Sequence, residues 1–517
     1  MSPAPDLGVA NGTWQPPAPR TASLIGEGKF WFLGERGSLA EHGWDDPSKP
    51  KLWRYNQHYF DDLNAQASAE RTHWHQALIA DWVVHNPPGQ GTGWEPYPTS
   101  LRIVNWVKWA LAGNSLSEGA LGSLAVQTRW LTGRLEWHLL GNHLFANAKA
   151  LVYAGLFFDG PEAKGWLRQG LRILAREFPE QVLPDGGQFE RSPMYHALAL
   201  EDVLDLVNVT RFYKSTFDPQ GGEQRALWEG IVPPMQHWLS AMSHPDGEIS
   251  FFNDAAFGIA PAPAELAAYA GRLGFEPLAE LERITWLNSS GYARLESAPA
   301  VLICDMAPIG PDYLPGHAHA DTLSFEFSLF GQRVIVNSGT SQYGLGAERL
   351  RQRGTRAHST VTVAGKNSSD VWSGFRVGSR ARPLGASVTS AEGCLMAECG
   401  HDGYRALSGN PRHMRKWILT KDTLTVCDAV SPDQHVSEAR FYLHPGVRLE
   451  LSRKAFGVLA LPCGAEVCVE CEGGTARLEQ GTWHPEFGLA VENTCLVIPL
   501  RNGRARLQLR WAEMLQH

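Results

Sequence analysis

Three residues able to move protons or hold a ligand stand at alternate positions in the stretch PGHAHADTLSFEF: His317, His319 and Asp321. The same parity continues through Leu323, Phe325, Phe327 and Leu329, so a strand through this segment would turn the whole set toward a buried face. Imidazole titrates near neutrality and serves as acid, base or ligand. Taken alone, a buried histidine is more often a hydrogen-bonded core residue. Two further polar sets lie upstream: Asn142-His143 at the head of GNHLFANAKALVYAGLFF, and Tyr195-His196 just after the loop LPDGGQFERSP.

Local signals say which elements would carry them. Leu144, Ala148, Leu151, Val152 and Gly155 fall on one helical face, with Asn142 as the expected N-cap, and the free amides of that helix start would favour an anion. Ser192-Pro193 reads as N-cap plus first helical residue, which puts Tyr195 and His196 in a helix's first turn. Up to about residue 290 the chain repeats helical stretches broken by Gly, Pro and Asn. From residue 291 it changes to short alternating runs with Gly-Gln and Asn-Gly turns, the texture of an antiparallel β-sandwich. The expected organisation is multidomain α + β: an N-terminal arm over 1–48, loose in its Pro-rich first 20 residues, a helical domain over 49–290 and the sandwich over 291–517.

Composition narrows the partners. The 517 residues carry a net charge of -8 with no basic block, which excludes a nucleic-acid footprint and any long-range attraction for a polyanion. An acidic substrate must therefore be gripped locally. No run approaches the length of a membrane span, and the N-terminus has neither a positive n-region nor an apolar h-region. The sequence as written reads as soluble and cytoplasmic, or as periplasmic or secreted if a leader has been removed. All eight cysteines lie from Cys304 onward without zinc-finger spacing and are expected to be reduced thiols in the β domain.

The segments PKLWRYNQHYFDDL, GWEPYPTSLRIVNWVKW, GNHLFANAKAL, LPDGGQFERSPMYHALALEDVLDL, SFFNDAAFGIAP, GHAHADTLSFEF, VIVNSGTSQYG and RGTRAHSTVTV, taken in this order, resemble the heparinase II/III family of polysaccharide lyases. The resemblance implies an incomplete (α/α) toroid followed by a β-sandwich, and β-elimination on a uronic-acid-containing polysaccharide. Glycosaminoglycans rank first as substrate, alginate or a bacterial capsule polymer second. Such a reaction removes the weakly acidic C5 proton, neutralises the adjacent carboxylate and protonates the departing O4. By resemblance, Asn142 and His143 hold the carboxylate, Tyr195 is the acid and, where geometry allows, a base, and His317 is a second base or carboxylate partner. Arg102, Arg191 and Arg356 are candidates to grip uronate or to lower the phenol pKa. Trp94 and Trp106 would stack on sugar rings, with core packing as the alternative, and Glu190 would border the substrate or serve structure alone.

The family resemblance also implies a divalent metal ion held by His319, an acidic residue in the following strand and a later histidine; the matching positions here are His319, Asn337 and His358. Asn337 brings no charge, which lowers the expected affinity and leaves a metal-free hydrogen-bonded cluster as the rival, with Asp321 either compensating or capping the loop. If His317 faces the substrate while His319 joins that cluster, a bend between Gly316 and Asp321 must break the alternation. Two other function classes fit the same scaffold. A glycoside hydrolase would enlist two carboxylates among Asp185, Glu190 and Asp254. A non-catalytic glycan-binding or polysaccharide-assembly protein could dispense with the polar set.

Overall fold

The structure, a computed structural model, describes residues 3–453 and 455–512, which form two compact units. The first comprises 3–182, 197–236 and 264–278; the second comprises 183–196, 237–263 and 279–512. The units therefore do not follow a single cut at residue 290: three separate stretches build each of them.

The first unit is helical, with Thr72–His85, Pro96–Leu111, Glu118–Thr132, Gly141–Phe157 and Pro161–Gln181 as its longest uninterrupted members. Gly141–Phe157 is buried on every side from Leu144 onward rather than on one face, as expected of a helix central to its layer. It pairs with Pro161–Gln181 across a three-residue connection, and two glycines allow the close approach. A Cβ on Gly155 would lie 2.6 Å from the Leu167 nitrogen, and one on Gly170 would lie 2.7 Å from the Ala148 carbonyl oxygen.

The N-terminal segment departs from the loose arm expected. Gly8 donates its amide to Phe157 O at 2.8 Å, Gly12 to Phe212 O at 2.9 Å, and Arg20 pairs with Glu201 at 2.5 Å. Residues Leu24–Gly26, Lys29–Phe32 and Glu35–Ser38 then form a three-stranded antiparallel sheet. Its Phe30 and Phe32 rings pack against Trp53, an apolar contact the sequence reading passed over.

The second unit is the antiparallel sandwich. One sheet runs, in spatial order, Pro383–Ala391, Cys394–His401, Arg412–Leu419, Thr423–Ser431, Arg504–Trp511, Glu466–Glu472, Phe456–Ala460 and Arg448–Arg453. The facing sheet includes Ser437–Leu443, Gln332–Val336, Phe325–Leu329, Ala300–Asp305 and Tyr292–Ser297 as neighbours. Phe325, Phe327, Leu302, Trp417, Leu424, Phe441 and Leu509 fill the space between them. Cys304, Cys399 and Cys471 lie in the same core as small apolar groups.

One buried polar chain runs through this core. Gly403 N–H donates to His401 Nδ1 at 3.0 Å, His401 and His413 meet at 3.3 Å, and His413 Nε2 meets Asp428 at 2.7 Å. Arg415 binds the same Asp428 and donates to the backbone oxygens of Leu323 at 2.9 Å and Ser359 at 2.6 Å. The sandwich interior thus fixes the two loops that carry Asp321 and His358.

Candidate active site

Ser192 caps the helix Pro193–Phe212 as expected, its Oγ accepting the Tyr195 amide at 3.2 Å. Tyr195 stands in the first turn with its ring stacked on His317, centroids 3.9 Å apart at 17°. His317 Nδ1 lies 2.5 Å from Glu190 Oε2, and the Tyr195 hydroxyl lies 2.8 Å from that of Tyr343. These four side chains all belong to the second unit.

The segment from Gly316 to Ser324 is not a strand. Ala318 N bonds back to Pro315 O and Ser324 N to Asp321 O, Leu323 takes φ +65°, and the sheet begins only at Phe325. This bend leaves His317 partly exposed while His319 and Asp321 are buried.

Burial raises both phenol pKa values well above the ordinary range, with the Asp254 charge adding to it in each. Both hydroxyls therefore carry their protons. The cation nearest the pair is Arg349, which lies 4.9 Å from the Tyr343 ring centroid and forms a bidentate pair with Asp254. Tyr343 and Arg349 were missed by the sequence reading. Tyr343 stood inside the motif VIVNSGTSQYG, and nothing local distinguishes its ring from any other loop tyrosine.

The arginines expected at the substrate have other tasks. Arg191, at φ +60°, donates to Ser290 O at 3.0 Å and Phe189 O at 3.1 Å, bracing its own loop. Arg356 is exposed and pairs with Glu479 at 3.1 Å. Arg102 is fully buried in the first unit, donating to Gln127 at 2.9 Å with its guanidinium 3.9 Å over the Trp82 ring. Trp94 and Trp106 pack on Trp82 and are buried too, so none of these three side chains offers a face to a sugar. Glu190 touches His317 and is itself buried, which makes it a partner of the imidazole rather than a border of the substrate.

The carboxylates of the hydrolase alternative are also engaged. Asp185 accepts from the Ser290 amide at 2.7 Å and hydroxyl at 2.9 Å, and Asp254 is sealed beneath Arg349, which holds its pKa far below the carboxylate range despite burial. No pair among Asp185, Glu190 and Asp254 is left to flank a glycosidic bond.

In the first unit, the helix Gly141–Phe157 starts one residue earlier than expected, with Leu140 at the cap position and Asn142 inside the first turn. Asn142 makes no side-chain hydrogen bond among the described residues. His143 Nδ1 lies 3.0 Å from Glu136, and its ring packs on Tyr97 with centroids 4.4 Å apart.

The metal set is corrected in one member. Asn337 donates to Ser324 Oγ at 3.2 Å and accepts from the Ser359 amide at 3.2 Å, so its side chain is spent on backbone and hydroxyl. The carboxylate that joins the histidines is Asp321: ligand atoms of His319, Asp321 and His358 lie within 4.8 Å of one another. These residues fit a divalent cation. His319 Nε2 is taken by Asp254 at 2.8 Å, its Nδ1 faces His358, and His358 Nδ1 is buried with no partner. Burial lowers the pKa of both imidazoles, keeping them in the neutral, ligating form. Burial raises that of Asp321, an acid whose charge a cation would balance.

Comparison with known proteins agrees with this geometry. Residues 62–260 match the heparinase II/III N-terminus and residues 279–512 the heparinase II/III-like C-terminal domain. The chain belongs to the heparinase II/III family, and its fold is the toroid-plus-sandwich expected. A heparin-sulfate lyase of Bacteroides stercoris is 27% identical over 248 residues, covering 44% of this chain and 36% of that protein. One of Pedobacter heparinus is 28% identical over 330 residues, covering 56% and 47%. The matched region thus spans under half the length of either relative. A solved structure of heparinase III superposes with a TM-score of 0.69 at 17% identity, over 89% of this chain and 76% of that one, a likeness of fold.

Proposed function

We propose that the protein is a polysaccharide lyase acting by β-elimination on a uronate-containing polysaccharide, with a glycosaminoglycan as first substrate class and alginate or a bacterial capsule polymer as second. The observation that carries this reading is the chain Glu190–His317–Tyr195–Tyr343. With Nδ1–H donated to Glu190, His317 keeps a lone pair on Nε2 and acts as the base that takes the C5 proton; Glu190 then stabilises the imidazolium. The C5–H electron pair becomes the C4–C5 double bond as the bond to O4 breaks. Tyr195, held as the phenol, gives its proton to O4, and Tyr343 hydrogen-bonds the phenolate left behind. Asn142 and His143 neutralise the substrate carboxylate, a role supported by the unengaged Asn142 amide at a helix start, where free N–H groups favour an anion. A divalent ion on His319, Asp321 and His358 would supply positive charge and tie the 317–321 loop to His358. The names of the two relatives support the glycosaminoglycan ranking.

The test is incubation of the purified protein with heparan sulfate, chondroitin sulfate, hyaluronan, alginate and capsule polymers, following ultraviolet absorbance of unsaturated uronate and reducing ends together. A rise in both is expected. Reducing ends without absorbance identify a hydrolase, and neither product on any polymer identifies a binder; both results overturn the proposal.

A further inference from the structure

The two-stranded hairpin Val371–Trp372 and Arg376–Val377 has no sheet to join, and such a ribbon is not stable alone. Two buried arginines hold its turn. Arg349 Nε donates to Gly374 O at 3.1 Å, and Arg353 donates to Ser373 O and Arg376 O at 3.3 Å each. Arg349 is the residue that also binds Asp254 and lies against Tyr343, so the turn is locked to the His317–Tyr195 cluster. Phe375, at that turn, meets His317 edge-on at 6.1 Å and Tyr343 at 5.2 Å, yet stays 42% exposed.

Pairing register sets Trp372 directly opposite Arg376, and opposed residues of an antiparallel pair project on one face. Trp372 is 55% exposed, and Arg376 is exposed with no ion pair among the described residues. An indole offers a flat apolar surface to the C–H face of a pyranose, and a guanidinium beside it matches a carboxylate or sulfate. Neither group has a structural partner to account for it, and the backbone beneath them is rigidly clamped.

We propose that the hairpin Val371–Val377 forms a substrate subsite beside the His317–Tyr195 centre, where Trp372 stacks on an acidic sugar ring next to the one being cleaved and Arg376 pairs with its anionic group. The assignment rests on the lyase reading above. Its test compares wild type, Trp372→Ala and Arg376→Gln on the best polymer. Each variant should raise KM roughly tenfold, the range of a contact residue truncated at an interface, with kcat within twofold and the melting temperature unchanged. The Arg376→Gln defect should shrink at high salt, where wild-type binding also weakens. Wild-type KM in both variants overturns the subsite, as does a loss confined to kcat, which would mark the hairpin as scaffold for the centre. If the wild type releases no unsaturated product from any polymer, the lyase reading falls instead. Direct titration of heparan sulfate into the three proteins then decides the subsite: weaker binding by both variants upholds it, and equal binding overturns it.

Discussion

Replacing Glu190 by glutamine leaves side-chain volume nearly constant and reverses one hydrogen bond. In the wild type the carboxylate can only accept, so His317 Nδ1 must carry the proton at the 2.5 Å contact and Nε2 is free to act as base. A glutamine whose amide nitrogen faces the ring donates to Nδ1 and drives the proton to Nε2, which removes the base. Any imidazolium formed also loses its counter-charge. A carboxylate-to-amide change behind a catalytic imidazole lowers turnover by about 10⁴-fold in the best-studied triad, or about 5 kcal/mol of barrier. His317 is partly open to solvent, so re-orientation of the ring recovers some of that. The expected fall in kcat is about 10²- to 10⁴-fold, with KM little changed because Glu190 is buried away from substrate. Initial rates of ultraviolet absorbance over a range of substrate concentrations measure both constants, and circular dichroism checks the fold. A kcat within threefold of wild type in a folded Glu190→Gln protein would refute the assignment of His317 as the base oriented by Glu190.

Tyr195→Phe should keep the fold and lower kcat about 10²- to 10⁴-fold, while Tyr343→Phe, which removes only the hydrogen bond to the departing proton's site, should cost about tenfold; the same absorbance assay ranks the two. His319→Ala should lower thermal stability by about 1–3 kcal/mol through the unpaired Asp254 and His358, and elemental analysis of wild type against variant should find a stoichiometric metal lost with the histidine. Burial holds the pKa values of His401 and His413 below the unfolded imidazole value of about 6.5. Below that pH the unfolded chain binds more protons than the folded one, so the stability these residues give is complete above it and declines as pH falls. Each contributes a slope of about 1.4 kcal/mol per pH unit, and His401→Gln should flatten the fall in urea midpoint between pH 6.5 and 5 by one proton's share.

Local pattern was enough for the change from helix to strand near residue 290, for the Ser192-Pro193 helix start and for Gly331 and Gly503 as turn residues at positive φ. It was enough also for the pairing of Tyr195 with His317, because each sat in a motif with a recognisable setting. What failed was everything that depends on who lies across the fold. Arg102, Trp94 and Trp106 have the chemistry of sugar binders, and only the presence of Trp82 and Gln127 makes them core. Asn337 occupied the expected strand position, but Ser324 and Ser359 claim its amide, and the carboxylate comes from the loop residue Asp321. The alternation through His317 failed at Leu323, where a positive φ that no periodicity announces ends the run.

The interleaving of the two units has a consequence for anyone who would divide the gene. A fragment beginning at residue 291 keeps the whole sandwich core and His317, and so would be expected to look well formed by its strand content. It would lack Glu190, Tyr195 and Asp254, leaving the Arg349 guanidinium buried with no counter-charge and the imidazole with no proton acceptor behind it. The complementary fragment would carry three segments of a unit whose sheets are absent. Modular exchange between relatives must therefore move residues 183–196 and 237–263 together with the sandwich, so the practical unit of shuffling in this chain is the catalytic cluster and its supports, and chain order is a poor guide to where to cut.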